Sequence, residues 1–465
     1  MATITLFAFI ANENQLFAQE WIELGSGINA LNPNNSIWTL CADTGGIVYA
    51  AGGFTDSVSI NKGNFYVAKW DPNLMKWSEV GIGLNSLHAN GSISTIFLDN
   101  KHYLYAAGSF TDSNGYEYVA KWDGITWTEI GIGENALKAN ASINTIFVDT
   151  IGNIYAGGEF TNGSNSSDGY PYVSKWNGIF WQELGESSDN RISSNNHILS
   201  IKLDSKMNVY VSGDIWDTVF GNYFVGKYDG IAWSKLGIGY YSLNANGPIW
   251  DICLDDSDNV YAGGFFTNTS GIYYVAKWND TSWSEVGSST YFPNPNIPIL
   301  SICSWNEQIY INQGLDDNGK EFVEAYQGNS WSELGVGENS LNANCTIYSI
   351  CNDLEGNIYA AGCFTDSSSS TYGSSYVAKY KNINAGINKL ITCDNNIYPN
   401  PFMDKIYLNV DISNISKEYE IYDLIGNIVK SGKITELNTV IDLSELNQSL
   451  YLFKLNNEYT KIIKK

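Results

Sequence analysis

Trp127-Thr128-Glu129-Ile130-Gly131 is a phrase that this chain repeats, as Trp21-Ile-Glu-Leu-Gly25 near its start and Trp331-Ser-Glu-Leu-Gly335 late in it. The tryptophans that open such phrases are Trp21, Trp77, Trp127, Trp181, Trp233, Trp283 and Trp331, with gaps of 56, 50, 54, 52, 50 and 48 residues. A period near fifty residues made of short strands is the signature of a β-propeller. Residues that recur with the period serve the fold, so function is sought on loops and at departures from the repeat.

One unit shows the pattern. Ile143-Asn-Thr-Ile-Phe-Val148 is β-rich, and Asp149-Thr-Ile-Gly-Asn153 carries turn chemistry. Ile154-Tyr-Ala-Gly-Gly-Glu-Phe160 is a second strand, whose small residues permit close approach. A polar loop leads to Tyr172-Val-Ser-Lys-Trp176, then the hairpin signal Asn177-Gly178, then Trp181-Gln-Glu-Leu-Gly185. These are strands A, B, C and D. The chain enters on a D strand at Trp21 and leaves after a C strand, Tyr376-Val-Ala-Lys-Tyr380. The pattern therefore predicts an all-β chain with seven four-stranded blades, the last completed by the N-terminal strand, which closes the ring and removes a free edge.

Ile47-Val-Tyr-Ala-Ala-Gly-Gly53, then Tyr66-Val-Ala-Lys-Trp70, then Trp77 is similar to a kelch repeat, and the similarity covers about residues 21–382. Two units depart from it: Val211-Ser-Gly-Asp214 and Ile311-Asn-Gln-Gly314 replace the small run. Kelch-like repeats host oxidases, binding modules and scaffolds, so the resemblance implies a fold and leaves function open. Past Tyr380 the tryptophans stop and lysine rises. Ile397-Tyr-Pro-Asn-Pro-Phe402, Tyr419-Glu-Ile-Tyr-Asp-Leu-Ile-Gly-Asn-Ile-Val429, Ile441-Asp-Leu-Ser-Glu-Leu446 and the ending Lys461-Ile-Ile-Lys-Lys465 resemble the type A C-terminal sorting domain of the type IX secretion system of Bacteroidota. That resemblance implies a small β-sandwich read by the outer-membrane translocon, and a secreted or cell-surface product of a Gram-negative bacterium. The expected layout is a truncated signal peptide at 1–18 (Leu16-Phe-Ala18 before Gln19, without a basic leader), a propeller at 19–382, a linker at 383–396 and the sorting domain at 397–465.

Composition narrows the partners. Net charge is −24 with Arg191 as the single arginine, so a nucleic-acid partner is not expected. No apolar run reaches the length of a membrane-spanning helix. Cys41, Cys253, Cys303 and Cys351 hold matching repeat positions and read as core residues. Cys345 and Cys363 could face each other across a hairpin of the last blade, and spacing leaves their state open. The histidines His88, His102 and His197 are too few and too scattered for a copper site, and one arginine cannot form the carboxylate clamp of a sialidase. No cofactor is expected, while the acidic, Asn-rich loops leave calcium open.

By strand alternation the D–A and B–C loops share one face. Asp56, Asp112, Asn162, Asn268 and Asp366 open B–C loops and read as Asx turns before they read as a ring of ligands. The departures are the candidate ligand-binding set: Arg191, Tyr240, Tyr241, Tyr291 and Phe292 in D–A loops, and Trp216, Asp217 and Asp316 in B–C loops. Aromatics beside acids can stack on sugar rings and bond hydroxyls, or can simply pack over degenerate blades. The reading is a monomeric, non-catalytic binding or adhesion module for a glycan or surface protein. The alternatives are a carbohydrate-active enzyme using Asp or Glu, and a structural surface component.

Overall fold

The computed structural model describes residues 20–56, 63–163, 169–185, 192, 197–217, 219–287, 297–313, 319–328, 330–335, 339–365, 374–381, 396–399, 401–409, 415, 417–423, 427–455 and 458–465. The chain divides into two compact units, Met1–Asn382 and Ile383–Lys465. The signal-peptide reading, and nearly all of the linker reading, fall outside the described residues.

In the first unit the short strands pair as seven four-stranded antiparallel sheets. Blade 2 is typical: A Ile93–Leu98, B Leu104–Gly108, C Ala120–Trp122, D Trp127–Glu129. The A strands touch in succession from blade 1 (Ile37–Ala42) round to blade 7 (Ile347–Asn352), and blade 7 touches blade 1, so the sheets form a closed β-propeller. Blade 7 takes its D strand from Trp21–Glu23, paired with strand C so that Trp21 faces Tyr380.

The repeated tryptophan has one job throughout. Each indole N–H donates to the carbonyl that ends strand D of the preceding blade. Trp77 reaches Leu24 at 2.6 Å, Trp127 reaches Val80 at 2.9 Å, Trp181 reaches Ile130 at 2.8 Å and Trp233 reaches Leu184 at 2.9 Å. Trp283 reaches Leu236 at 2.8 Å, Trp331 reaches Val286 at 3.0 Å, and Trp21 closes the circle on Leu334 at 2.6 Å.

The core lies between blades. One cluster joins Tyr105, Ala107 and Val119 of blade 2 to Ile143, Ile146, Ala156 and Phe160 of blade 3. Small residues on strand B make room: a Cβ at Gly263 would come within 2.4 Å of Ile299 on the next blade. Blade 6 departs here. Asn312 stands in place of that glycine; its Oδ1 accepts from the N–H groups of Leu300 (2.9 Å) and Ser301 (2.8 Å), and its Nδ2 donates to Ile347 of blade 7 (2.6 Å).

Side chains also weld loop to strand. Asn90 accepts from Thr111 N–H at 2.8 Å and donates to its hydroxyl at 3.0 Å. The same clamp joins Asn34 to Thr55, Asn140 to Thr161, Asn246 to Thr267 and Asn344 to Thr365. This explains the recurring Ala-Asn and Phe-Thr phrases. In the A–B turns, Asp149 accepts from three successive main-chain N–H groups and from Tyr155. Cys345 and Cys363 are disulfide-bonded, tying the loop before strand A of blade 7 to its strand B. A cross-link over a separation of 18 residues is worth about 3 kcal/mol.

The second unit has one three-stranded sheet (Asn396–Tyr398, Lys405–Asn409, Asn438–Asp442) and one four-stranded sheet (Glu418–Tyr422, Ile428–Lys433, Leu450–Leu455, Glu458–Ile463). Both contribute to one core, including Ile406 and Leu408 from the first and Ile421 and Phe453 from the second.

Two predictions follow from this packing. Deleting Trp21–Gly25 removes both a strand and the closing indole bond, and should lower Tm far more than deleting residues 397–465; equal losses in a thermal melt would count against closure. The other concerns Glu324 of strand C in blade 6, which is 0% exposed and, among the described residues, has no hydrogen-bond partner for either oxygen. Other blades carry Ala68, Ala120, Ser174, Gly226, Ala276 or Ala378 at this position. Burial, and then the charge of Glu333, push its pKa from 4.5 up to about 8. The folded state thus keeps a proton that the unfolded chain releases, and stability declines as pH rises from about 4.5 through about 8. Glu324→Ala should raise Tm little at pH 5 and most at pH 9. A gain that is the same at both pH values would contradict this reading.

Candidate functional site

The A strands read Ile-x-(Thr/Ser/Asp)-(Ile/Leu), and the second position is the one that varies most. In six blades the register with strand B slips at this position, so the residue is a β-bulge. A bulge re-aims a side chain out of the pleat. The six bulged residues are Trp38, Ser94, Asn144, Leu199, Trp250 and Tyr348, and all line the cavity of the central channel, with Leu300 of blade 6. Its volume is about 760 Å³.

The channel mouth has two sides. Blades 5, 6, 7 and 1 contribute Trp250, Leu300, Tyr348 and Trp38, and Phe265 packs on Trp250 with ring centroids 5.2 Å apart. Trp38, Trp250 and Tyr348 remain 38%, 39% and 36% exposed despite their size. Blades 2 to 4 contribute Ser94, Asn144 and Leu199 from the bulges, with Glu159 and His197 beside them 3.8 Å apart. An apolar wall thus faces a wall that is polar apart from Leu199, a combination of apolar platform and a few polar groups common in ligand pockets.

Below the mouth lies a belt of the third positions: Thr39, Thr95, Thr145, Ser200, Asp251, Ser301 and Ser349. Four of its members, Thr39, Asp251, Ser301 and Ser349, accept from the next blade's main chain. Ile96 N–H donates to Thr39 at 3.3 Å, Ile350 to Ser301 at 3.1 Å and Leu40 to Ser349 at 3.2 Å. Asp251 accepts from Ile302 N–H at 3.1 Å and from the Ser200 hydroxyl at 2.7 Å. Deeper still are Cys41, Phe97, Lys202, Cys303 and Cys351. The core reading holds for Cys253, which is buried in a core cluster; Cys41, Cys303 and Cys351 also pack against core clusters and reach the channel wall besides. Burial raises all four thiols well above the ordinary range, so they do not act as thiolates at neutral pH.

Of the residues singled out in sequence, Trp216 and Asp217 form one arm of a small hairpin paired with Asn222–Tyr223. Trp216 packs edge-on against Tyr223, with ring centroids 4.8 Å apart. Asp217 is buried, bonds Lys235, and accepts from the N–H groups of Val219 (2.8 Å) and Phe220 (3.2 Å). Both residues therefore organise the loop. Tyr240 and Tyr241 lie in the 3-10 turn Gly239–Tyr241, and Tyr241 is exposed. Arg191, Tyr291, Phe292 and Asp316 lie outside the described residues. Asp112 and Asn268 accept main-chain bonds within their own loops, as Asx turns do. Among the described residues no group of three or more His, Cys, Asp or Glu is placed to hold a metal ion. The channel mouth was missed because it sits on strands rather than loops. The variable second position among near-constant neighbours was its signal.

Comparison with known proteins agrees with both units. Residues 396–465 match the family model of the secretion system C-terminal sorting domain. That domain marks the chain for type IX export to the cell surface or beyond. No curated protein matches the chain in sequence. Among solved structures, the extracellular domain of BT4673 from B. thetaiotaomicron is 14% identical, with a TM-score of 0.50, over 96% of this chain and 59% of that one. PorZ, a surface component of the type IX secretion system of Porphyromonas gingivalis, is 10% identical with a TM-score of 0.42, over 90% of this chain and 64% of its own. The WD40 β-propeller domain of Doa1 is 10% identical with a TM-score of 0.48, over 78% of this chain and 98% of its own. The chain thus spans less than two thirds of the BT4673 domain and of PorZ, and at such identities the likeness concerns the fold alone. No helix among the described residues is long and apolar enough to cross a membrane.

Asp217→Ala should cost about 3 kcal/mol in a urea melt, because it strands Lys235 and two N–H groups. Tyr241→Ala should stay within about 0.5 kcal/mol. Similar values for the two would overturn the loop-organising role of Asp217.

Proposed function

We propose that the exported propeller is a monomeric, non-catalytic binding module for a surface glycan, held at the mouth of the central channel. In this reading the kelch-like propeller spans 19–382, a linker spans 383–396, and the sorting domain serves only export through the translocon. The observation that carries the proposal is the pair of opposed walls: Trp38, Trp250 and Tyr348 on one side, Ser94, Asn144, Glu159 and His197 on the other. A pyranose has the same division, with apolar C–H faces and a polar equator. Large aromatics held at an open mouth by bulged strands give stacking area at little entropic cost, because the ring of blades fixes their backbones beforehand.

A carbohydrate-active enzyme is the second reading. It draws on Glu159 beside His197, a spacing of 3.8 Å that a proton-transfer couple can tighten when substrate is bound. One experiment separates the two. The full chain and a Trp38→Ala/Trp250→Ala variant are applied to immobilised surface glycans, and bound material is assayed for release of shorter products. Binding at least tenfold weaker in the variant, a loss of about 1.4 kcal/mol, with no products from the parent, supports the binding module. Products that disappear in His197→Ala would favour the enzyme. Undiminished binding in the double variant would remove the channel mouth from consideration.

A further inference from the structure

Six of the seven D strands carry a glutamate at the third position: Glu23, Glu79, Glu129, Glu183, Glu285 and Glu333. At least four of these receive a donor from the chain itself. The Ser86 hydroxyl bonds Glu79 at 2.9 Å, and the Ser340 hydroxyl bonds Glu333 from the equivalent position seven residues on. In blades 3 and 5 the donor comes from the B–C loop instead: Asn162 Nδ2 reaches Glu183 at 3.1 Å, and Asn268 Nδ2 reaches Glu285 at 3.3 Å. Blade 2 has changed both positions, and so has blade 7, which carries Ala30 and Asp366 there. In blade 2, Ala136 stands where Ser86 and Ser340 stand, and Asp112 where Asn162 and Asn268 stand.

Glu129 is left half-buried and facing a second carboxylate. Burial, then the charge of Asp112, raises its pKa. Asp112 itself stays ionised. Burial opposes this, but the N–H of Tyr116 (2.9 Å), the Asn114 amide (3.0 Å) and the Asn114 N–H (2.8 Å) together hold its pKa low. The two carboxyls line a groove of about 840 Å³ whose walls include Tyr116, Tyr118 and Trp127. Lys138 and Glu134 stand exposed at its edge and offset one another in charge. The groove shares no residue with the channel cavity.

We propose that the blade 2 groove binds a protonated primary amine carried on a sugar or alkyl stem. The amine supplies the donors that Ala136 and Asp112 have removed. Its charge answers the fixed charge of Asp112, and aromatic faces attract an ammonium that a neutral hydroxyl would not exploit. A net charge of −24 draws cations toward the surface and excludes anions. The site is independent of the channel-mouth reading and can fail or hold without it.

The test is calorimetric titration of the full chain, at low salt, with D-glucosamine, N-acetyl-D-glucosamine and n-butylamine. Glucosamine is expected to bind and its N-acetyl form is not. Binding of butylamine as well assigns the site to alkylammonium groups in general; binding of glucosamine without butylamine assigns it to amino sugars. Glu129→Gln and Asp112→Asn should each weaken binding at least tenfold. Asn already occupies the second position in blades 3 and 5, so that variant suits the fold. Ala136→Ser should also weaken binding, since the new hydroxyl engages Glu129 as Ser86 engages Glu79. Trp38→Ala/Trp250→Ala should change nothing. The proposal is overturned if N-acetylglucosamine binds as well as glucosamine, if neither amine binds, or if Glu129→Gln binds like the parent.

Discussion

Seven indole N–H groups, each bonded to the carbonyl that ends the neighbouring blade's D strand, set the geometry of this molecule. A single such bond contributes about 1 kcal/mol. Its importance lies in where it sits. Strand D is the outermost strand of each sheet and is only three or four residues long. Without a lateral tie it would be a short exposed edge, the part of a sheet most prone to fray. The indole spans the gap between blades where few main-chain bonds exist, and its ring buries apolar area in the same step. The belt of Thr, Ser and Asp side chains does the equivalent work at the inner end. At least five of the seven blade junctions are therefore fastened at both radii by these bonds.

That double fastening explains why the inner bulges can be given over to recognition. The first and fourth residues of strand A fill the space between blades, and the third bonds the neighbour. The second, thrown out of register, has no duty to the fold. It varies freely between Ser, Asn, Leu, Trp and Tyr while the isoleucine before it stays constant and the residue after it stays small and polar or acidic. A residue freed of structural work, in the one place where seven strands converge, is where a ligand site is least costly to build. The same argument accounts for the groove on blade 2, where the fold tolerates the loss of donors to Glu129 because the clamp of Asn90 and Thr111 already holds the loop.

The fold was legible in the sequence because it is periodic. The tryptophan phrase, the turn signals and the small run of strand B recur often enough that single departures do not obscure them. The offset between seven D strands and seven A–B–C sets even predicted which strand would close the ring. The site was less legible. Searching loops for unusual residues led to Trp216 and Asp217, yet a buried carboxylate bonded to Lys235 and to its own loop is a structural device. Conversely, Trp38, Trp250 and Tyr348 lie inside strands, where alternation alone reads an aromatic as one more packed side chain. Only the bulge tells them apart, and a bulge is a property of the pairing between two strands rather than of either sequence.

The two irregular blades show how far the repeat can be stretched. Both replace a conserved feature with a charged group near the D strand, and they handle it differently. Blade 4 exchanges the usual glutamate for Lys235 and supplies Asp217 from its B–C hairpin, so that each charge answers the other. Blade 6 keeps Glu333 and adds Glu324 on the adjacent strand, directly across the register. Burial and the charge of Glu333 act on it together, and the folded chain answers by holding the proton. A pairing of this kind survives because six other blades and two rings of lateral bonds carry the stability of the whole. In an isolated four-stranded sheet the same substitution would remove a large part of the few kilocalories per mole that keep a small domain folded.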